Sequence, residues 1–230
     1  MSDAVSWHDS HAQQFADRYQ RSPAFREREA LWHDLISRFE TPGGRILDAG
    51  CGSGVMTRHA AQNAGHVFAF DASAAMVELA RETLTPPTSP ALVTLRQARI
   101  GDPCLLEEHG FDLILCSSVL EYLDDWRAGF QWLSAALAPN GVIIFSMPNA
   151  NSLYRRIEPT LYRMTGKPAY FEHVRARPVL ADITTFLSQS GFVIEAQRVY
   201  GAAPGLSPIC RAIGLAHYAD TLSVFACKRA

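Results

Sequence analysis

Asp48-Ala49-Gly50-Cys51-Gly52-Ser53-Gly54 sets a carboxylate two residues before three glycines at alternate positions. Glycine tolerates positive φ and lets a ligand come close to the backbone. The acid can reach a polar group lying across the turn, which is how a nucleotide-like ligand is held at the end of a strand. The dinucleotide fingerprint G-x-G-x-x-G wants a further glycine at position 55, and this chain has Val55 there. Asp71 is a second acid, placed where the next apolar run ends. A different chemistry is suggested by residues 147–178. Arg155, Arg156, Arg163, Lys167, Arg175 and Arg177 there face only Glu158 and Glu172, a local +4 in a chain of net charge −2. Tyr154, Tyr162, Tyr170 and Phe171 are interleaved. Arginine suits carboxylate or phosphate, so this stretch reads either as a contact for an anionic or aromatic ligand or as a solvated basic helix.

These residues need a scaffold, and the pattern supplies one. The apolar run 45–49 reads as a buried strand, with a helix starting at Ser53. Residues 1–22 are polar, with Phe15 and Tyr19 one helical turn apart. Ser22-Pro23 opens a helix with Leu31, Trp32, Leu35, Ile36 and Phe39 on one face, closed by Thr41-Pro42-Gly43-Gly44. Helix is expected over 57–64 and strand over 66–70, ending in Asp71. Ser73 can cap a helix running to Leu84. A loop over 85–90, strands over 91–98 and 111–116, and a helix over 119–138 broken near Asp124 follow. Pro139-Asn140-Gly141 turns into a strand over 142–146. Pro178 opens a helix with Val179, Leu180, Ile183, Phe186 and Leu187 on one face, stopped by Gly191. Strands over 192–200 and 221–228, joined by a loop rich in Gly and Pro, end the chain. Such alternation of strand and helix predicts a parallel α/β sheet.

The same motifs, taken together, resemble the class I S-adenosylmethionine-dependent methyltransferases. Asp48-x-Gly50-x-Gly52-x-Gly54 is similar to their motif I, and Phe70-Asp71-Ala72-Ser73 to motif II. Phe111-Asp112-Leu113-Ile114 leading to Leu120-Glu121-Tyr122-Leu123 resembles their "FD-hydrophobic … LEH" segment, and Leu137-Ala138-Pro139-Asn140-Gly141 their "LxPGG" turn. The likeness spans roughly residues 40–150, in the flavour of the quinone-biosynthesis O-methyltransferases. It implies a Rossmann-like, seven-stranded, mostly parallel sheet with an antiparallel last strand and the cofactor outside the strands' carboxyl ends. It also implies one domain: a helical cover over 1–40, a cofactor core over 41–146, a substrate lid over 147–178, and a closing helix and strands over 179–230.

By the same resemblance, Asp48, Gly50, Gly52 and Gly54 surround the methionine part of S-adenosylmethionine, and Asp71 holds the ribose. Ala72 and Met76 flank the adenine, with Ala98, Arg99 and Ile100 after strand three. Cys116 and Ser117 line the floor near the sulfonium, and Tyr19 and Arg28 meet the carboxylate. Asn149, Tyr154, Arg155, Tyr170 and Arg175 are the acceptor-side candidates, and His173 the candidate base, followed by His217 and Tyr218. Two departures stand out. Arg99 has donors only and cannot accept from the adenine amino group, which leaves a carbonyl, Gln97 or Asp102 for that role. Tyr122 replaces the usual histidine.

Composition limits the alternatives. At 48% hydrophobic and 19% charged, 230 residues suit one soluble domain. No secretory leader or membrane-length apolar run is evident, and five cysteines without a Cys-x-x-Cys pair suggest reduced thiols in the cytoplasm. Net charge −2 and the absence of an Asp/Asn-Pro-Pro-Tyr/Phe run argue against nucleic-acid partners. No metal is expected: His8 and His11 lie in a terminus without evident structure and lack further ligands. Leu153, Ile157 and Leu161 beside arginines could rest on an anionic membrane surface, which Pro159 argues against. The readings left open are O-methyl transfer to a small anionic or aromatic metabolite, N-methyl transfer, a cofactor-binding protein without activity, and an NAD-dependent dehydrogenase.

Overall fold

The computed structural model describes residues 2–85, 92–105, 108–202 and 207–230. Seven strands form one sheet: β1 (Arg45–Ala49), β2 (His66–Asp71), β3 (Leu92–Gln97), β4 (Phe111–Cys116), β5 (Leu137–Pro148), β6 (Phe192–Tyr200) and β7 (Leu222–Arg229). Their order is β3-β2-β1-β4-β5-β7-β6, and β7 runs antiparallel to both of its neighbours while β1 to β5 pair in parallel. This is the expected Rossmann-like sheet.

Period-two alternation gives the sheet two apolar faces. Leu47, Phe68, Ile114, Ile143 and Phe225 point to one side, against α5 (Trp126–Ala135) and α7 (Leu180–Gln189). Ile46, Val67, Leu113, Ile144 and Val224 point to the other, where α2 (Pro23–Phe39) buries Trp32, Leu35 and Ile36 and α3 (Val55–Ala60) buries Met56 and Ala60. Both layers lock the strand ends in place, and the site is built on those ends.

Several local expectations shift. Residues 2–21 form a long helix, α1 (Ser2–Arg21), so His8 and His11 lie in regular structure. Gly54 takes the left-handed conformation at the N-cap, which delays α3 to Val55, and the helix ends at Ala60. The break foreseen near Asp124 is present, because the Asp125 carboxylate accepts from the amides of Arg127 and Ala128 and starts α5 afresh, and only a short turn over Leu120–Tyr122 precedes it. Strand β5 takes in Pro139-Asn140-Gly141. Val179 caps α7 from outside and stays exposed. The foreseen loop between the last strands contains α8 (Ser207–Ala212) and α9 (Ala216–Ala219). Ser73 caps α4 (Ala74–Thr83), as expected, its hydroxyl accepting from Met76 N at 3.1 Å. Most of the 85–90 loop and position 91 lie outside the described residues, as does 203–206. After β5, α6 (Leu153–Thr165) leads the 147–178 segment.

Candidate active site: two cavities sharing a wall

The first cavity opens at the carboxyl ends of β1 to β4 and holds about 830 Å³ of empty space, part of it open to solvent. Two glycines of the turn after β1 shape its floor. Gly50, at φ 77°, leaves no room for a side chain unless Val119 shifts, because a Cβ would lie 2.2 Å from Val119 Cγ2. Gly52, at φ 53°, faces open space with only the Phe15 ring 3.8 Å away. Asp71, at the end of β2, accepts from Gly52 N and from Ser73 N, each at 2.9 Å, one per carboxylate oxygen. Burial raises its pKa and these amides oppose the rise. Each oxygen keeps lone pairs, so the carboxylate can accept from both hydroxyls of a diol. Beyond it lies an apolar slot of Phe70, Ala72, Met76, Ala98, Ile100 and Leu123, with the exposed Arg99 at its edge. The Gln97 amide is committed to the Ala72 carbonyl at 3.3 Å.

Helix α1 roofs this cavity through Ala4, Val5, His8 and Phe15. The roof is clipped down: the Ser73 hydroxyl donates to Asp9 Oδ1 at 2.5 Å, and Ala75 N to the same oxygen at 3.3 Å. An acid with lone pairs free for a diol, an apolar slot and a glycine floor could together hold an adenosine and its attached chain.

The second cavity shares a wall with the first, because His8, Phe15, Ser118 and Tyr122 line both. Ser118 holds the left-handed conformation, φ 58°, and its amide donates to Ser146 Oγ at 2.9 Å. Strained backbone of this kind at the end of a strand belongs where a site must be shaped. Burial, with His173 nearby, pushes the His8 pKa down to about 4, so the imidazole is neutral at pH 7. Burial and Glu121 push the Tyr122 hydroxyl upward, keeping its proton in place.

Glu121 is only 3% exposed, and burial pushes its pKa up to about 7 against Arg28, Arg155 and the Ser118 side chain. Its Oε2 has no hydrogen-bond partner. Arg28 of α2 donates through Nη2 to the Ser117 carbonyl at 3.1 Å and hydroxyl at 2.7 Å, and its Nε has no partner. Arg155 donates through Nη1 to both oxygens of Glu158 at 2.9 Å and to the Tyr170 hydroxyl at 3.2 Å. Arg155 and Tyr170 line this cavity with Trp7, Phe25 and Tyr200.

Not every foreseen site residue reaches a cavity. Gly50, Gly52, Asp71, Ala72, Met76, Ala98, Arg99 and Ile100 line the first, and Arg28, Ser117, Arg155 and Tyr170 the second. Gly54 instead lets α4 approach, its Cβ position 3.1 Å from Ala80. Asp48 is buried behind the turn, Oδ2 accepting from Thr57 Oγ1 at 2.6 Å, and burial pushes its pKa up to about 6. Cys116 points into the core, where burial raises its thiol pKa well above the ordinary value. Tyr19 packs edge-on against Phe15 and Phe25. Asn149 is saturated, donating to the carbonyls of His217 and Asp220 and accepting from Asn151 N. Tyr154 lies outside both linings, and Arg175 is exposed, giving only its amide to the Glu121 carbonyl at 2.8 Å. His173 stands 5.7 Å from the Trp7 ring, outside both linings.

Of the cations of 147–178, read either as a contact for an anionic or aromatic ligand or as a solvated basic helix, Arg155 alone lines a cavity among the described residues, and Glu158 already neutralises it. Leu153 and Ile157 on α6 are exposed. No helix among the described residues is long and apolar enough to cross a membrane. Among the described residues, no group of three His, Cys, Asp or Glu could hold a metal ion. His8, Phe15, Ser118 and Glu121 are site residues that sequence reasoning passed over. Only Glu121 had a signal, its place in the Leu120–Leu123 segment.

The methyltransferase domain family matches residues 24–197. The chain is 30% identical over 117 residues to the ubiquinone biosynthesis O-methyltransferase of Hahella chejuensis, covering 51% of this chain and 48% of that protein. It is 30% identical over 115 residues to the Xanthomonas campestris protein of the same name, with 50% and 47% covered. It thus spans about half the length of these relatives. Among solved structures, magnesium protoporphyrin IX methyltransferase from Synechocystis, with bound SAH, superposes at TM-score 0.71 and 17% identity, covering 99% of this chain and 100% of that one. The N-methyltransferase NodS from Bradyrhizobium japonicum, with S-adenosyl-L-homocysteine, gives 0.64 and 17%, covering 92% and 90%.

Proposed function

Because the chain belongs to the methyltransferase domain family, we propose that it moves a methyl group from S-adenosylmethionine to a small molecule, with an oxygen acceptor. The observation that carries this is the wall of four residues common to both cavities. A nucleoside held by Asp71 in the first cavity has its attached chain running along Gly50 and Gly52 to that wall, and an acceptor in the second meets it there. When bound, the cofactor supplies a methyl group already activated on a sulfonium.

The protein's part is alignment and protection. Proximity of this kind can supply roughly 7–11 kcal/mol of a barrier. Asp71 fixes the nucleoside end. Arg28, anchored on Ser117 with Nε unpartnered, is placed to take the carboxylate of the cofactor's chain. Helix α1 and Tyr122 keep water from the shared wall. Oxygen as acceptor is supported by the O-methyltransferases that match half of their length. Nitrogen is the second reading, favoured by the likeness to NodS.

The test is calorimetry of S-adenosylhomocysteine, with NAD as the contrast. The homocysteine nucleoside should bind in the micromolar range and NAD should not. Binding of NAD alone overturns the proposal.

A further inference from the structure

Glu121 and Glu158 are both buried carboxylates of the second cavity's surroundings, exposed by 3% and 0%. Glu158 has both oxygens filled by Arg155, with the Tyr170 hydroxyl donating to one of them at 2.7 Å. Glu121 has one oxygen with no partner, and it lines the cavity. Buried polar groups are nearly always paired, so the exception asks for a partner that the chain does not supply. The groups facing Glu121 explain why none is supplied. Arg28 of α2 and Arg155 of α6 are close enough to act on its charge. Arg28 turns Nη2 to Ser117 and keeps Nε open, and Arg155 turns its donors to Glu158, Tyr170 and the Thr221 carbonyl. Tyr122 and the Cys116 thiol, on which the Glu121 charge acts, and Tyr170 and His8, which line the same cavity, are held neutral by burial.

Resting on the methyltransferase reading above, we propose that the open oxygen of Glu121 receives an aromatic hydroxyl of the acceptor and then takes its proton. Trp7, Phe15, Phe25 and Tyr170 give the cavity walls that suit a ring. A donor is required at Glu121, so a bare carboxylate acceptor is rejected there by like charge. As the acceptor oxygen bonds to the methyl carbon, the carbon–sulfur bond breaks and its electron pair stays on sulfur. The hydroxyl proton passes to Glu121, which returns it to solvent when the ether product leaves. Of the two bases lining the second cavity, Glu121 is better than His8: burial lifts it to about 7, whereas His8 is lowered to about 4.

The experiment titrates phenol and its methyl ether, anisole, into protein loaded with S-adenosylhomocysteine, read by ligand-observed NMR at pH 6 and pH 8. Phenol should bind about tenfold more tightly than anisole, because a charge-assisted hydrogen bond is lost in the ether. Its affinity should rise about fivefold from pH 6 to 8 as the carboxylate ionises. Glu121→Gln should hold S-adenosylhomocysteine within about twofold of wild type, lose about tenfold in phenol affinity and lose the pH slope. Equal binding of phenol and anisole, or a flat pH response in the wild type, overturns the proposal without any variant. So does a tenfold loss of S-adenosylhomocysteine affinity in Glu121→Gln, which would give the carboxylate to the cofactor's ammonium. Failure of the wild type to bind S-adenosylhomocysteine at all would instead sink the methyltransferase reading, and this one with it.

Discussion

The two cavities meet at one wall but are built on different plans. In the first, main chain does the shaping: a glycine floor, and a carboxylate oriented by two backbone amides. In the second, side chains from α1, α2, α6 and the ends of β6 and β7 are brought together over long sequence separations. The lining acid of the first has both oxygens partnered, and the second keeps an open oxygen on Glu121 and an open nitrogen on Arg28. The lesson is about where each kind of recognition is stored. On the proposed reading, a shared ligand would be recognised by backbone geometry and a particular acceptor by polar atoms left unpaired until it arrives.

The largest effect should come from the acid that lines the first cavity, Asp71. Asp71→Ala removes the acceptor for a diol and the tie between Gly52 and Ser73. Affinity for S-adenosylhomocysteine, measured by calorimetry, should fall by about 100-fold or more, roughly 3 kcal/mol. A loss under tenfold would erase the contrast between the plans.

Next come the two glycines, which separate shape from stability. Gly50→Ala drives a methyl into Val119 at a positive φ and should cost about 2–4 kcal/mol in urea unfolding. Gly52→Ala meets no such clash, should cost only about 1 kcal/mol in stability, and should still weaken nucleoside binding, since its methyl projects into the space before Phe15. Equal stability losses would mean the floor is not divided in this way.

The second cavity should show itself as a pH effect. Glu121 has its folded-state pKa raised from 4.5 to about 7, so the stability linked to it is present at low pH and lost as pH rises through that window. Glu121→Gln removes the loss. Thermal unfolding should find the variant close to wild type at pH 5 and more stable at pH 8, by roughly 1–3 kcal/mol. Asp48, raised to about 6, adds a loss of the same sign that the substitution leaves intact. The smallest effect is expected from Arg175→Ala: the side chain is exposed, only the amide is used, and nucleoside affinity should change by less than about twofold.

The same division decides how much could be read from the sequence. The sheet and the first cavity were legible because strand periodicity, the glycine spacing and Asp71 are local patterns. Asp48 and Gly54 belong to the same pattern but serve it from behind, one as a buried partner of Thr57 and the other as room for α4. The second cavity was hidden because its members are related only by tertiary contact. His8 had no pattern to mark it within polar residues 1–22, and Tyr200 is a strand end far from every motif. The 147–178 charges left a ligand contact and a solvated helix equally open, and helix α6 turns Arg156 and Arg163 outward and pairs Arg155 with Glu158. A +4 segment is a statement about composition, and which cations reach a ligand depends on the rotation of a helix.

Asp9 and Ser73 carry a consequence for kinetics. Their hydrogen bond fastens the N-terminal helix over the first cavity, so on the proposed reading exchange of spent for fresh nucleoside requires that clasp to part. Turnover would then be throttled by the residence time of the product and not by the bond-making step. Asp9→Ala should shorten that residence time in stopped-flow release, and should leave residues 2–21 open to protease while the nucleoside is still in place.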